Sequence, residues 1–341
     1  MNYLSVCSGI EAASVAWKTL GWSAVGFSEI EKFPCSVLKY RYPETENFGD
    51  MTKFKEWPDA NIDVLVGGTP CQSFSVAGLR KGLDDPRGNL MLTYLAIADR
   101  YKPKYIVWEN VAGILSSNGG RDFGTFLGGL GKLGYGFAYR VLDAQFCRTH
   151  EHPRAVPQRR RRVFVVGCLG DWRSAAGILF DSESLRGNPP PSRNKGEEIA
   201  PTIRAGAANG GNHTRYDDTG SSYTLTKTDV HAVAYNLYGG NKRSDRPNGG
   251  FYANVEPTSK TLDASHGLNP NCSQGGTAIQ QQMRVRRLTP LECERLQGFP
   301  DFWTDIPGAS NTARYKALGN SMAVNSMRIL GERIAMAESI L

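Results

Sequence analysis

The chain lacks the sequence features of several protein classes. Its seven cysteines lie singly, at positions 7, 35, 71, 147, 168, 272 and 293, without a Cys-x-x-Cys pair. This spacing favours a reduced intracellular protein over a disulfide-stabilised secreted one. No apolar run approaches about 18 residues, and residues 1–6 are typical of a strand rather than of a signal peptide. We therefore expect a cytoplasmic protein with no membrane partner.

The excess of positive charge is small. Lys and Arg number 40 against 33 Asp and Glu, which gives a net charge of +7. This balance favours an anionic partner such as nucleic acid. The 341 residues are enough for a large core and suggest about two domains.

Four apolar segments predict buried strands, and a side chain capable of chemistry follows each of them. Residues 47–52 are interpreted as the end of the third strand of the chain, with Asp50 on the ligand side. The carboxyl ends of parallel strands meet at one edge of a sheet, where α/β proteins bind ligands. The pattern therefore predicts an α/β fold with one shared crevice, although each residue alone is compatible with a structural role. The side chains are Glu29, Asp50, Cys71 and Glu109.

The first strand leads into a tight turn, Cys7-Ser8-Gly9-Ile10, and then into a predicted helix over residues 11–20. Glu29 follows about 20 residues after this turn, as in dinucleotide-binding units, where such an acid accepts hydrogen bonds from a ribose. One glycine is a weaker signal than Gly-x-Gly-x-x-Gly, so an ordinary βαβ unit remains the alternative.

Cys71 lies in the second distinctive turn, Gly67-Gly68-Thr69-Pro70-Cys71-Gln72-Ser73-Phe74-Ser75. A thiolate at the carboxyl end of a strand is a nucleophile if its surroundings lower its pKa. The alternative is a small buried cysteine that closes the strand.

Four consecutive arginines, 159–162, precede the apolar strand 163–167. Strand alternation sends two of them to each face, which suits an anionic ligand, while a solvated charged face is the alternative. Nearby, Cys147, His150 and His152 offer three metal ligands without a fourth, so we expect no metal.

The composition changes in the second half of the chain. Residues 170–283 are rich in Gly, Asn, Ser and Thr and predict short strands in a separate, loop-rich β region, with a partly disordered insertion as the alternative. From residue 284 the pattern becomes helical again. A helix over 287–300 is N-capped by Thr289, a tight turn is predicted at 314–322, and a final helix follows at 323–340.

Taken in order, these stretches resemble the motifs of the cytosine-C5 DNA methyltransferase family, of the site-specific bacterial or phage type. Six or more matches in sequence, interrupted by one variable block, are highly specific. The matching stretches are residues 7–10, Glu29, Asp50, residues 68–75 with Pro-Cys, residues 108–111 with Glu-Asn-Val, residues 158–162 with Gln-x-Arg-x-Arg, residues 287–300 and Gly319-Asn320-Ser321.

The resemblance implies an S-adenosylmethionine-dependent methyltransferase fold, Rossmann-like and mostly parallel, with a small loop-rich β target-recognition domain. It assigns residues 1–169 to the catalytic domain and 170–283 to target recognition, while 284–341 completes both. The implied enzyme is a DNA (cytosine-5-)-methyltransferase that acts on a flipped cytosine in a specific duplex site.

The family's catalytic roles map onto four side chains. Cys71 would add to cytosine C6 and make C5 nucleophilic. Glu109 would hold the N3/N4 edge, Arg162 would bind O2, and Arg160 would support the same pocket. Pro70 and Asn110 would order the turn that carries Cys71.

The cofactor and the DNA are expected to contact two further sets of residues. S-adenosylmethionine, with S-adenosylhomocysteine as product, is expected to contact Ser8, Gly9, Ile10, Glu29, Ile30, Asp50, Leu90, Asn320 and Ser321. The loop from Gln72 to Asn89 would close over the flipped base, with DNA contacts from Gln72, Ser73, Arg87 and Gln158.

Some positions depart from the family pattern. Glu11-Ala12 stand where Gly-Gly is usual, Cys7 and Thr69 replace common aromatics, and the segment 146–155 is longer than usual. Glu11 is favourable for the helix dipole but could weaken binding of the cofactor's carboxylate.

Three rival functions remain open: a catalytically silent DNA binder, an enzyme of transfer RNA, and an α/β thiol protein without a cofactor. We expect double-stranded DNA as partner, a monomer, and a phage or prophage origin. The sequence does not decide whether a cognate restriction endonuclease belongs to the same system, or which DNA site is recognised.

Overall fold

The structure is a computed structural model that describes most of the chain outside the middle region. Cys71, Gln72, Ser73, Arg87 and His150 lie outside the described residues, so the predictions that concern them stay predictions. The described residues are 1–70, 90–149, 152–153, 155–180, 233–239, 251–255, 277–281 and 284–340.

Strands and helices alternate through the first half of the chain. Its strands are β1 (Asn2–Val6), β2 (Ser23–Ser28), β3 (Val64–Gly67), β4 (Tyr105–Val111), β5 (Tyr135–Asp143) and β6 (Arg161–Leu169). The helices are α1 (Ala12–Trp17), α2 (Lys32–Arg41), α3 (Leu90–Tyr101), α4 (Arg121–Lys132) and α5 (Trp172–Leu179).

The second half contributes short strands and three helices to the described residues. Its strands are β7 (Val233–Gly239), β8 (Phe251–Val255), β9 (Thr277–Gln281) and β10 (Arg284–Arg287). Its helices are α6 (Pro290–Gln297), α7 (Asn311–Asn320) and α8 (Val324–Ile340). Thr289 and Glu292 form the capping box of α6, as its predicted N-cap requires.

The first six strands form one sheet in the order β2-β1-β3-β4-β6-β5. β1 pairs in parallel with β2 and β3, and β3 pairs in parallel with β4. Only β6 among these six runs against its neighbours, β4 and β5. The predicted mostly parallel α/β sheet is therefore confirmed, and the carboxyl ends of β1 to β4 meet at one edge.

The central strands are buried on both faces of this sheet. Val64 and Val66 belong to one apolar cluster, whereas Leu65 belongs to the cluster on the opposite face. Trp108 of β4 is fully buried and stacks on Phe126 of α4, with ring centroids 4.2 Å apart. Such two-sided burial explains why these strands appear as continuous apolar runs in the sequence.

Helix α8 packs against α1 although about 300 residues separate them. Trp17 Nε1 donates to the carbonyl oxygen of Met327 at 2.8 Å. A Cβ at Gly331 would lie 2.3 Å from the Trp17 indole, so this glycine gives the ring its space. The end of the described chain thus covers one face of the first sheet.

Helix α5 occupies the start of the region 170–283, where short strands were predicted. Two more local predictions were wrong. Residues 47–52 form no strand: Asn47 makes an isolated bridge with Phe27, and Asp50 caps a helical turn, Met51–Glu56, by accepting from the backbone N–H of Thr52. The predicted tight turn at 314–322 is mostly helix α7, which Ser310 caps at its start. In both cases a short polar side chain directs the chain into a helical turn.

The unusually long segment that begins at residue 146 is anchored at its start by α8. Asn325 Nδ2 donates to the carbonyl oxygens of Ala144 and Cys147, at 2.6 and 3.0 Å. The Cys147 side chain is fully buried. The described residues hold no group of three or more His, Cys, Asp or Glu side chains suited to a metal ion.

The strands β7 to β10 form a second, four-stranded sheet in the order β10-β9-β7-β8, and all its pairs are antiparallel. The division of the chain into catalytic and recognition domains stays a prediction. Within the described ranges, every helix is too short or too polar to cross a lipid bilayer.

Candidate active site

The turn after β3 is closely packed against β4. A Cβ on Gly67 would lie 2.6 Å from atoms of Val6, and one on Gly68 would lie 2.8 Å from Glu109 Oε2. The two glycines therefore let the turn approach the neighbouring strands. Pro70, which follows, is exposed and faces a large cleft.

Two side chains of β4 hold this turn. Asn110 Nδ2 donates to the carbonyl oxygen of Thr69 at 3.0 Å, and Trp108 Nε1 donates to Thr69 Oγ1 at 3.0 Å. Thr69 is 4% exposed. Where Thr69 replaces a more usual aromatic, its hydroxyl satisfies a buried indole N–H. Thr69, two residues before Cys71, is thus fixed by two hydrogen bonds.

Glu109 and Arg162 form an ion pair at the same edge of the sheet. Arg162 Nε lies 3.1 Å from Glu109 Oε1, and the two side chains are 16% and 12% exposed. Burial raises the pKa of the Glu109 carboxyl, against the opposing effect of Arg162 and Arg160. The carboxyl is therefore easier to protonate than an ordinary glutamate, and a protonated carboxyl can donate a hydrogen bond.

Arg160 lies deeper than Arg162. It is 3% exposed, and its Nη2 donates to the carbonyl oxygens of Gly319 and Ser321, at 3.1 and 2.5 Å. Burial, followed by the nearby Arg162, lowers the pKa of this guanidinium to about 9. Arg159 and Arg161 are exposed, so the two arginines chosen from the sequence are the two that point inward.

The turn after β1 forms the other side of the site. Cys7, Gly9 and Glu11 all have left-handed backbone angles, with φ of 50°, 56° and 65°. Gly9 N donates to Glu29 Oε2 at 2.8 Å. The other oxygen of Glu29 accepts from the backbone N–H groups of Ile30 and Glu31, at 2.8 and 2.7 Å. The Glu29 carboxylate is therefore oriented by three backbone donors.

One cleft of about 670 Å³ joins the two sides. This volume is in the range of small-molecule and cofactor sites. Ile30 is 70% exposed, an apolar side chain left open at the cleft. Of the residues chosen from the sequence, those that line the cleft are Gly9, Glu29, Ile30, Asp50, Pro70, Leu90, Glu109, Asn110, Arg160, Arg162 and Asn320.

Three of the residues predicted to contact the cofactor lie outside this cleft. Ser8 and Ser321 line a small pocket of about 30 Å³ beside the cleft. Ile10 is fully buried in the core, where its carbonyl oxygen accepts from Trp303 Nε1 at 2.9 Å. Its side chain is therefore unavailable to a ligand in this conformation.

Gln158, a predicted DNA contact, is also fully buried. Neither its amide nitrogen nor its amide oxygen has a hydrogen-bond partner among the described residues. A side chain in this position does not reach DNA without moving, so the structure gives no support to that contact.

Sequence reasoning missed Lys316, which lines the cleft and pairs with Glu31 at 2.8 Å. A signal was present, because Lys316 precedes Asn320 by four residues. Residues four apart lie on one face of a helix. Since 314–322 was predicted as a turn, this helical spacing was not used.

The fold and the cleft define an α/β protein of the methyltransferase class. The family model described as "C-5 cytosine-specific DNA methylase" matches residues 1–336. The chain belongs to that family.

Two relatives illustrate the similarity. The chain is 35% identical over 98% of its length to the "DNA N-6-adenine-methyltransferase" of Escherichia phage P1, but it spans only 61% of that protein. It is 30% identical over 90% of its length to the type II methyltransferase M1.ScrFI of Lactococcus lactis subsp. cremoris, of which it covers 70%.

Solved structures agree on the fold. The methyltransferase EhMeth of Entamoeba histolytica gives a TM-score of 0.59 at 13% identity, covering 100% of this chain and 99% of that one. Dnmt2 of S. pombe gives 0.59 at 16% identity with the same coverage. At this level of identity the likeness concerns the fold alone.

Proposed function

We propose that the protein transfers a methyl group from S-adenosylmethionine to C5 of a flipped cytosine in a specific site of duplex DNA. The observation that carries the proposal is the cleft itself. The Glu109–Arg162 pair and the turn before Cys71 line it at one side, and Glu29 and Asp50 line it at the other. One ligand can therefore reach the carboxylates while a second faces the ion pair.

The residues of the cleft fit the proposed cofactor. Glu29, held by three backbone donors, presents a fixed carboxylate to a ribose diol. The exposed Ile30 offers an apolar surface to a flat ring. When bound, S-adenosylmethionine supplies an electrophilic methyl group, and S-adenosylhomocysteine leaves.

On the side of the cleft that they line, Glu109 and Arg162 would hold the cytosine. A protonated Glu109 would donate to N3, and the raised pKa of its carboxyl favours that form. Arg162 would bind O2, so that charge developing on the ring meets two donors.

The proposed covalent step uses Cys71. Its thiolate would add to C6 while N3 takes the proton of Glu109, which makes C5 nucleophilic. C5 would then bond to the methyl group as the bond between that group and the donor's sulfur breaks. Loss of the C5 proton and of the Cys71 sulfur would restore the aromatic ring. Asn110 and Trp108 support this proposal because their hydrogen bonds hold Thr69, two residues before Cys71.

Base-resolution mapping of modified bases in plasmid DNA tests the proposal, with cells that express the protein beside cells that express Cys71→Ala. We expect 5-methylcytosine in one short sequence context, absent with Cys71→Ala. N6-methyladenine should be mapped in parallel, because the name of the phage P1 relative refers to that base. The proposal would be contradicted if the protein is soluble but the DNA is unmodified. It would also be contradicted if the modified base is adenine, or if RNA is methylated instead of DNA.

A further inference from the structure

Glu11 is a buried carboxylate that the proposed reaction does not use. It is 1% exposed and is the N-cap of helix α1. Its backbone angles, φ 65° and ψ 66°, are left-handed, a conformation that residues other than glycine rarely adopt. This position is also the one where the chain departs from the usual Gly-Gly of its family. A strained residue beside a ligand cleft calls for a physical reason.

The Glu11 carboxylate joins strand β1 to helix α1 across the turn 7–10. Oε2 accepts from Ser5 Oγ at 2.9 Å. Oε1 accepts from both the backbone N–H and the hydroxyl of Ser14, each at 3.0 Å. The Ser14 hydroxyl also lies 2.5 Å from the hydroxyl of Tyr3. Three donors therefore hold one carboxylate, and the strained backbone of Glu11 keeps it in place.

The position of Glu11 links this network to the site. Its side chain lines the pocket of about 30 Å³ beside the cleft. That volume is enough for one or two water molecules. Gly9, Glu109 and Asn320 line both the pocket and the cleft. Glu11 is therefore buried directly behind the backbone that faces the proposed cofactor.

We propose that Glu11 is a positioning residue for the cofactor. The ionised carboxylate of Glu11 holds residues 7–11 in the conformation that receives S-adenosylmethionine. This inference rests on the proposed function. It assigns to Glu11 a supporting role rather than competition with the cofactor's carboxylate, because Ser5 and Ser14 bind both Glu11 oxygens and the side chain lines the small pocket rather than the cleft.

The proposal implies a pH dependence. Burial raises the pKa of Glu11 to about 7, the hydrogen bonds from Ser5 and Ser14 oppose this rise, and the nearby Glu29 adds to it. The phenols of Tyr3 and Tyr42 also face Glu11, and Glu109 lines the same pocket. Protonation removes the charge and turns one acceptor oxygen into a donor, so the hydrogen bonds lose their charged acceptor and at least one hydroxyl must reverse its direction. Cofactor affinity should therefore fall as the pH falls below this pKa.

Calorimetric titration with S-adenosylhomocysteine tests the proposal at about pH 6 and about pH 8.5, on either side of the Glu11 pKa. Glu11→Gln has nearly the same shape but no charge. We expect it to bind about tenfold more weakly than the wild type at the higher pH, the loss expected for one charged hydrogen bond. We also expect its affinity to be the same at both pH values, whereas the wild type loses affinity at the lower one.

Two further variants make the result decisive. Ser5→Ala removes a donor to Glu11 without touching the charge, so it should weaken binding less and keep the pH dependence, and it serves if Glu11→Gln does not fold. Glu44→Gln, at an exposed position, should match the wild type. If the wild type binds S-adenosylhomocysteine and the affinities of Glu11→Gln and Ser5→Ala are within about twofold of it, this inference alone is overturned. No binding by the wild type overturns it together with the proposed cofactor.

Discussion

Two glutamates of the same cleft, Glu29 after β2 and Glu109 in β4, have opposite environments. The Glu29 carboxylate accepts three backbone N–H groups, all from residues of adjoining turns. Glu109 is nearly buried beside Arg162, and burial raises the pKa of its carboxyl. Backbone donors stabilise the charged form of a carboxylate, whereas burial favours the neutral form. The same residue type is thus a carboxylate oriented by backbone donors at one end of the cleft and a carboxyl that burial makes easier to protonate at the other.

Glu109→Gln should have the largest effect among variants that keep Cys71. A glutamine has almost the same shape but cannot ionise or stabilise the developing charge in the same way, so we expect kcat to fall by about 10²–10³-fold. Single-turnover methylation of a DNA duplex measures this loss, and circular dichroism checks the fold. The exposed Glu44→Gln is the control. A higher KM for the cofactor with unchanged kcat would contradict the assignment of Glu109 to the chemical step and of Glu29 to cofactor binding.

Gly68→Ala should act through Glu109. The added Cβ would lie 2.8 Å from Glu109 Oε2, so the carboxyl must shift. We expect a fall in kcat of about tenfold or more, because catalytic groups tolerate only small misplacements. Gly128→Ala in helix α4 is the matched control, since its Cβ would meet nothing within 4 Å. Equal rates for the two variants would show that Glu109 tolerates the shift.

Glu29→Gln should weaken cofactor binding without the same cost to the chemical step. The amide keeps the shape but loses charged hydrogen bonds to Gly9, Ile30 and Glu31, so S-adenosylhomocysteine should bind about tenfold more weakly. Calorimetry measures the affinity, and single-turnover rates at saturating cofactor should stay within about threefold of the wild type. A rate loss as large as that of Glu109→Gln would break the comparison.

Thr69→Val should have the smallest effect of these variants, and we expect it mainly in the stability of the fold. The substitution leaves the buried Trp108 Nε1 without its acceptor at 3.0 Å while changing the shape little. We expect a loss of about 1–3 kcal/mol in the free energy of unfolding, the cost of an unsatisfied buried donor. Urea denaturation measures it. An unchanged midpoint would mean that the indole finds another acceptor.

Much of the first half of the fold follows from local patterns. The continuous apolar runs predicted β1, β3 and β4, which the structure contains. The alternation of the arginines predicted that two point inward, and Arg160 and Arg162 do so. Two of the failures, at 47–52 and 314–322, come from caps. Asp50 and Ser310 begin helical turns through side-chain hydrogen bonds, a signal weaker in sequence than an apolar run.

The partners of several site residues could not be predicted because they are distant in sequence. Arg160 binds carbonyl oxygens about 160 residues away, at Gly319 and Ser321. Gln158 carries a residue type typical of a surface contact, yet it is fully buried. Residue type indicates what chemistry a side chain can do, whereas its depth depends on which elements pack over it.

The sequence by itself determined the family, the mostly parallel sheet and the set of chemical groups that the proposed reaction needs, because these depend on residue types in a fixed order. Only the tertiary structure decided which of these groups share one cleft and in what environment each one lies. Burial in the folded chain raises the pKa of the Glu109 carboxyl. The left-handed backbone of Glu11 accompanies hydrogen bonds of its carboxylate to Ser5 of β1 and Ser14 of α1. Burial and distance are properties of the folded chain, and they distinguish Glu109, whose carboxyl burial makes easier to protonate, from the hydrogen-bonded Glu29.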